Sequence, residues 1–151
     1  MKTNNYLDDL EKGDRFESRG YTFTESSIVD FAFLYDPQPF HIDAPAAEAS
    51  HFGGLIASGF HTLSVAFRLV YQTGFVRDAS MGGPGMDELR WLKPVRPGDT
   101  LRCSAEVLEV SPSRSKPDRG ILKLALAARN QMEETVMTVT FIILLKRKPD
   151  A

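Results

Sequence analysis

The stretch Ser58-Gly59-Phe60-His61-Thr62-Leu63-Ser64-Val65-Ala66-Phe67-Arg68-Leu69-Val70-Tyr71 decides the fold. Its spacing predicts a helix that begins around Ser58-Gly59 and runs through Leu63, Ala66, Phe67, Val70 and Tyr71, with Leu55 and Ile56 also apolar just ahead of it. Apolar residues fall on more than one side, which suits a helix enclosed by other structure rather than one lying on a surface. After Gly74 and the glycine-rich crossing Met81-Gly82-Gly83-Pro84-Gly85 the chain changes character. Met86 to Leu92, Thr100 to Val110, Gly120 to Asn130 and Thr135 to Lys146 are rich in residues that suit a pleated sheet, with Pro94, Pro97-Gly98 and Gln131 to Glu134 as turns. Helices first and long strands afterwards, without alternating units, predict an α+β domain in which an antiparallel meander wraps a central helix. With 151 residues and no internal repeat, a single domain over 1–151 is expected.

Upstream of the central helix the chain is built from shorter pieces. Leu7, Leu10, the Gly13-Asp14 turn and Arg15 to Phe23 read as a loop leading into a sheet-edge strand, with Phe16, Tyr21 and Phe23 as its buried side chains. Thr24 is a suitable N-cap for a first helix to Tyr35, with Glu25 in the first turn and Ile28, Phe31, Ala32 and Tyr35 on its inward face. Asp43, Ala44 and Pro45 open a short helix through about Ser50, which Gly53-Gly54 breaks.

Between these helices lies Tyr35-Asp36-Pro37-Gln38-Pro39-Phe40-His41. Each proline drives the residue before it out of the helical region, so Asp36 and Gln38 should be extended within a stiff, irregular bend. A carboxylate and an imidazole on such a bend can share one small site. Pro37 ends the first helix, which leaves Asp36 at a helix C-terminus, where the macrodipole disfavours negative charge and a raised pKa is expected.

Composition narrows the functional classes. Eighteen basic against 20 acidic residues give a net charge of -2, which does not supply the basic surface that nucleic-acid binding needs. Cys103 is the lone cysteine and there are three histidines, so neither an intrachain disulfide nor a Cys/His zinc site is expected. Cys103 reads as core filling. No charged-then-apolar leader is seen and no apolar run approaches the ~20 residues of a membrane span. A reducing, cytoplasmic setting fits these features, with 42% hydrophobic residues enough to form a core.

Asp36-Pro37-Gln38-Pro39-Phe40-His41 resembles the Asp-x-Asn-Pro-(Leu/Ile/Val)-His motif of the MaoC-like, R-specific enoyl-CoA hydratases. Gly53-Gly54-Leu55-Ile56-Ala57-Ser58-Gly59 follows in register, and Met86-Asp87-Glu88-Leu89-Arg90-Trp91 with Lys93-Pro94-Val95-Arg96-Pro97-Gly98-Asp99 resembles the strand and turn after the central helix in the same group. The resemblance implies a hot-dog fold, a long antiparallel sheet wrapped around a central helix, assembled as a homodimer or a multiple of dimers. It also implies reversible addition of water to a trans-2-enoyl-CoA, with the coenzyme A thioester as substrate and no metal or redox cofactor. In that reading Asp36 and His41 activate the water and return its proton to C2 on the same face, while the Gly59 amide faces the thioester oxygen from a helix N-terminus. Gln38, Ser58, Tyr35 and Gly85 are the accompanying substrate-site candidates, Gly85 through the crossing at the mouth of the acyl site.

Two residues depart from the stricter motif. Gln38 stands where the family has Asn, which shifts or removes any hydrogen bond made from that position, and Tyr35 replaces a glycine often found before the catalytic Asp. Tyr35 either packs within the first helix or narrows the acyl tunnel. Alternatives of other classes remain open at this point: a hot-dog acyl-CoA thioesterase with an acidic base, or a non-catalytic acyl-CoA-binding subunit. Asp43 reads as a helix cap, His51 as a surface residue, and His61 as a residue of the central helix able to approach the site. Ser58 lacks a nucleophile elbow and reads as a cap or a hydrogen bond to the site. The basic loop Ser111 to Gly120, with Arg90, Lys93 and Arg96, supplies candidate contacts to coenzyme A phosphates, or is simply solvated.

Overall fold

In the computed structural model, which describes residues 2–150, Thr24 and Ser27 exchange backbone-to-hydroxyl hydrogen bonds of 3.0 and 3.1 Å that start helix α1, Glu25–Tyr35. Pro37 ends α1 as expected, and both Asp36 and Gln38 are non-helical. The proline-braced run is not wholly irregular, however. Pro39 lies at the first position of a short helix, α2, Pro39–Ile42, because its fixed φ suits that position and it has no N–H to leave unpaired. Asp43 caps α3, Ala44–Ala49, by accepting from the Ala46 amide at 3.1 Å. The central helix α4 spans Gly59–Tyr71 and begins at Ser58, whose hydroxyl accepts from the Phe60 amide.

Six strands follow the order of the chain: β1, Arg15–Glu17; β2, Tyr21–Thr22; β3, Gly85–Trp91; β4, Thr100–Pro112; β5, Arg119–Arg129; and β6, Thr135–Lys146. They form an antiparallel sheet in the order β1-β4-β5-β6-β3, with β2 also pairing with β4. The meander expectation holds for β4, β5 and β6. It fails for β3, which pairs with β6 at the far edge instead of with β4. Pro94 and Pro97 cannot donate to a ladder, and the segment after β3 crosses from that edge strand to β4, pinned by Ala57 N–H to Val95 O (2.8 Å) and by Phe23 N–H to Asp99 O (2.8 Å).

Strand β5 alternates buried and half-buried residues along its length, and its inward row, Leu122, Leu124, Leu126 and Ala128, lies opposite Ile143, Phe141, Val139 and Met137 of β6. This row belongs to the same buried cluster as Val65, Ala66, Leu69 and Val70 of α4. Burial of side chains such as Leu122, Leu124 and Leu145 contributes about 1.5–3 kcal/mol each, so the seam between helix and sheet carries the core. Cys103 is fully buried in it, and burial pushes its thiol up to about 12.

A sheet curled on one long helix is the hot-dog architecture. The enclosure of α4 is incomplete, however, because Phe60, Phe67 and Tyr71 stay 57, 43 and 40% exposed, although the Phe60 ring meets Trp91 of β3 and the Phe67 ring meets Phe141 of β6. The inward face expected for α1 is also shorter than its periodicity. Ile28 and Ala32 are buried and Phe31 is half-buried, whereas Tyr35 is 69% exposed because the last turn of α1 runs past the core. No helix among the described residues is long and apolar enough to cross a membrane.

Candidate active site

Three elements converge on Asp36. The C-terminus of α1 supplies the residue itself, α2 supplies His41, and the N-terminus of α4 supplies Ser58 and Gly59. Ser58 Oγ donates to Asp36 Oδ2 at 2.7 Å, Gln38 Nε2 donates to Asp36 Oδ1 at 2.7 Å, and His41 Nε2 lies 3.3 Å from Oδ2. Side-chain exposure is 12% for Asp36 and 4% for His41, so water screens this pair weakly.

The imidazole is oriented from behind. Its Nδ1 lies 2.6 Å from the Ile56 carbonyl, an acceptor only, so Nδ1 carries the proton. Nε2 is therefore the nitrogen that gains or loses a proton, and it faces the carboxylate. The Ile56 amide in turn donates to the Phe40 carbonyl at 3.1 Å, which ties α2 to the segment leading into α4.

The raised pKa expected for Asp36 is overturned. Burial is the largest single influence and works against ionisation, but the bonds from Ser58 and Gln38 and the neighbouring His41 together outweigh it and hold the carboxyl below the usual carboxylate range. A pocket of ≈ 400 Å³ opens in front of the pair, lined by Asp36, Gln38, His41 and Gly59 together with Phe52, Phe60, Trp91 and Val95. Among the described residues no hydrogen bond takes up the Gly59 amide, while the next amide, of Phe60, is taken by Ser58 Oγ at 3.2 Å. The pocket thus holds an acid and imidazole pair together with a free N–H at a helix N-terminus, a set able to move a proton and to stabilise an oxyanion.

The structure therefore brings together Asp36, Gln38, His41 and Gly59, with Ser58 fully buried behind them as both helix cap and hydrogen-bond donor. Tyr35 and Gly85 do not join them. Tyr35 points outward against the Phe31 ring, with centroids 5.2 Å apart. Gly85 lines a separate apolar cavity of ≈ 290 Å³ with Phe67, Tyr71, Met86 and Phe141, beside the last turns of α4. His61 is not among the pocket-lining residues either: it is 6% exposed, stacked on Phe31 (4.6 Å, 8°) and 4.7 Å from Phe23, and burial pushes its pKa down to about 4. Lys93 lines the pocket and pairs with Glu134, whereas Arg96 bonds the Phe52 carbonyl at 2.5 Å and Arg90 pairs with Glu88. Nothing in the local sequence marks Trp91 or the Ile56 carbonyl as part of the site. Trp91 is the only tryptophan, placed just ahead of a proline turn, but nothing local to it marks a pocket 32 residues upstream.

The fold and the site together define a hot-dog protein whose Asp–His pair is set against the N-terminus of the central helix. The chain belongs to the MaoC-like domain family, whose model matches residues 10–128. It is similar to the MaoC-like dehydratase from Rhodospirillum rubrum, with 41% identity, coverage of 97% of this chain and 99% of that one, and a TM-score of 0.88. The R-hydratase PhaJ1 from Pseudomonas aeruginosa superposes with a TM-score of 0.79 at 25% identity, over 97% of this chain and 89% of that one. The uncharacterised protein YdeM of Bacillus subtilis is 36% identical over 141 residues, 93% of this chain and 99% of its own.

Proposed function

We propose that this protein is a hydro-lyase that adds water reversibly, and on one face, to a trans-2-enoyl-CoA to give a 3-hydroxyacyl-CoA. The observation that carries the reading is the Asp36–His41 pair, 3.3 Å apart and almost dry, in the same pocket as the unclaimed Gly59 amide. Membership of the MaoC-like family and the likeness to a dehydratase and an R-hydratase support the hydratase or dehydratase class; the enoyl-CoA substrate is our proposal.

The chemistry follows from these groups. A water held between Asp36 and His41 gives a proton to the pair as its oxygen bonds to C3. The C2–C3 π electrons move into the thioester, and the Gly59 N–H stabilises the enolate oxygen. The same proton is then delivered to C2, which regenerates the pair. In the opposite direction the same steps remove water from the 3-hydroxy thioester. No metal or redox step enters this balance.

The working unit in this reading is a homodimer. Strand β3 ends the sheet with an unpaired edge, and Met86, Trp91, Phe60 and Phe67 are each 43–57% exposed nearby, an apolar surface that a second copy would cover. Crotonyl-CoA tests the activity. Loss of the enoyl absorbance without thiol release supports hydration, free thiol points to a thioesterase, and binding without turnover points to a non-catalytic acyl-CoA-binding subunit.

A further inference from the structure

Gly59 does not need to be glycine for its own backbone, since its φ is not in the left-handed region and it is the first residue of α4. What a side chain there would meet is Trp91. A Cβ on Gly59 would lie 2.4, 2.7 and 2.8 Å from the indole Cε2, Cζ2 and Nε1. The indole is held in that place from several directions. Its Nε1–H donates to the Gly59 carbonyl at 3.0 Å, and the Phe60 ring meets it edge-on at 6.1 Å and 72°. The strand that delivers it is irregular there: a register shift between Asp87 and Arg90, with Glu88 at φ 55, lies just ahead of Trp91. Beyond it, the Leu92 amide bonds the Val136 carbonyl at 2.8 Å and anchors the strand end.

We propose that Trp91 is a positioning residue for the Gly59 turn, and that residue 59 is glycine because the indole fills the space a side chain would take. The proposal rests on the hydration reading for its kinetic consequence. The lack of a side chain at residue 59 would then serve the substrate only indirectly: the indole fixes the first turn of α4, and that turn aims the Gly59 amide into the pocket. The simpler account, in which glycine only lets the thioester approach, makes a different forecast for the double variant.

Because Trp91 is the sole tryptophan, its emission reports this contact independently of turnover. The full chain is compared with Trp91→Phe, Gly59→Ala and Gly59→Ala/Trp91→Ala, together with Trp91→Ala alone; Trp91→Leu replaces the alanine background should that background not fold. Trp91→Phe keeps a ring but loses the donor, and should lower kcat on crotonyl-CoA about tenfold with KM within about twofold. Gly59→Ala should lower kcat about 10²-fold and shift the indole emission to the red as the ring is displaced. In the Trp91→Ala background, adding Gly59→Ala should lower kcat by less than about threefold, because the space is then vacant. Equal losses from Gly59→Ala in both backgrounds, an unchanged kcat in Trp91→Phe, or an unshifted emission in Gly59→Ala would each overturn the proposal. A wild-type protein that hydrates no enoyl thioester would sink the hydration reading, while the emission shift would still decide whether the indole occupies the place of a Cβ.

Discussion

Ser58 Oγ donates to Asp36 Oδ2 at 2.7 Å and at the same time accepts from the Phe60 amide at 3.2 Å. One hydroxyl therefore caps the central helix and holds the carboxylate at the end of α1, so helix registry and site electrostatics depend on the same atom.

Ser58→Ala should separate these effects. Loss of the cap should lower stability by about 1 kcal/mol, read from the urea midpoint. Loss of a donor to the ionised carboxylate should raise the Asp36 pKa towards its ordinary value. The ionised form now persists to lower pH, so the acid limb of the kcat profile should move to higher pH in the variant. An unmoved limb would mean that Asp36 does not govern it.

Asp36→Asn and His41→Asn should each lower kcat about 10²- to 10⁴-fold while the far-UV circular dichroism stays native. The two changes together should do little more than either alone, since they disable one proton-transfer unit. Additive losses in a double-mutant cycle would separate their roles.

His61 should make the fold sensitive to acid. Its folded pKa of about 4 lies below the ordinary 6.5, so between those values the unfolded chain binds a proton that the native state refuses. Above about pH 6.5 the ring is neutral in both states and carries no proton-linked cost, and stability should fall as pH drops from there towards 4. The total is on the order of 3 kcal/mol, because each tenfold loss of proton affinity on folding corresponds to about 1.4 kcal/mol. His61→Phe keeps the stack with Phe31 and should flatten this part of the profile, measured by urea unfolding at about pH 7 and about pH 4.5. The same pH dependence in both proteins would assign it elsewhere.

Phe67→Asp should favour the monomer. Phe67 is 43% exposed beside the β3 end of the sheet, and a carboxylate there would be poorly tolerated against a second copy. Light scattering should give a dimer mass for the wild type and a lower mass for the variant; a monomeric wild type would remove the dimer from the proposal.

The element types and most boundaries could be read from the sequence because their signals are local. The Thr24 cap, the Asp43 cap and the Pro37 stop act within a few residues, and all three operate as the sequence indicates. The edge position of β3 was not readable, because strand pairing depends on where the crossing between Pro94 and Asp99 is pinned, and its partners Ala57 and Phe23 lie far away in sequence. The outward turn of Tyr35 escaped for a similar reason: periodicity gives a face but not how far the core beneath it extends.

By itself, the sequence determined the kind of protein: a long apolar helix followed by strands, and an acid and an imidazole fixed at a short offset by two prolines. Tertiary structure decided the character of the site. A carboxylate at a helix end should resist ionisation, yet Ser58 and Gln38 hold Asp36 in its charged state, and the strand β3 brings Trp91 onto Gly59 across 32 residues. Local rules describe the field of one helix, whereas the pKa of a buried group and the room beside a glycine are set by whichever atoms the fold places within about 3 Å, and such neighbours are specified only once the chain has closed on itself.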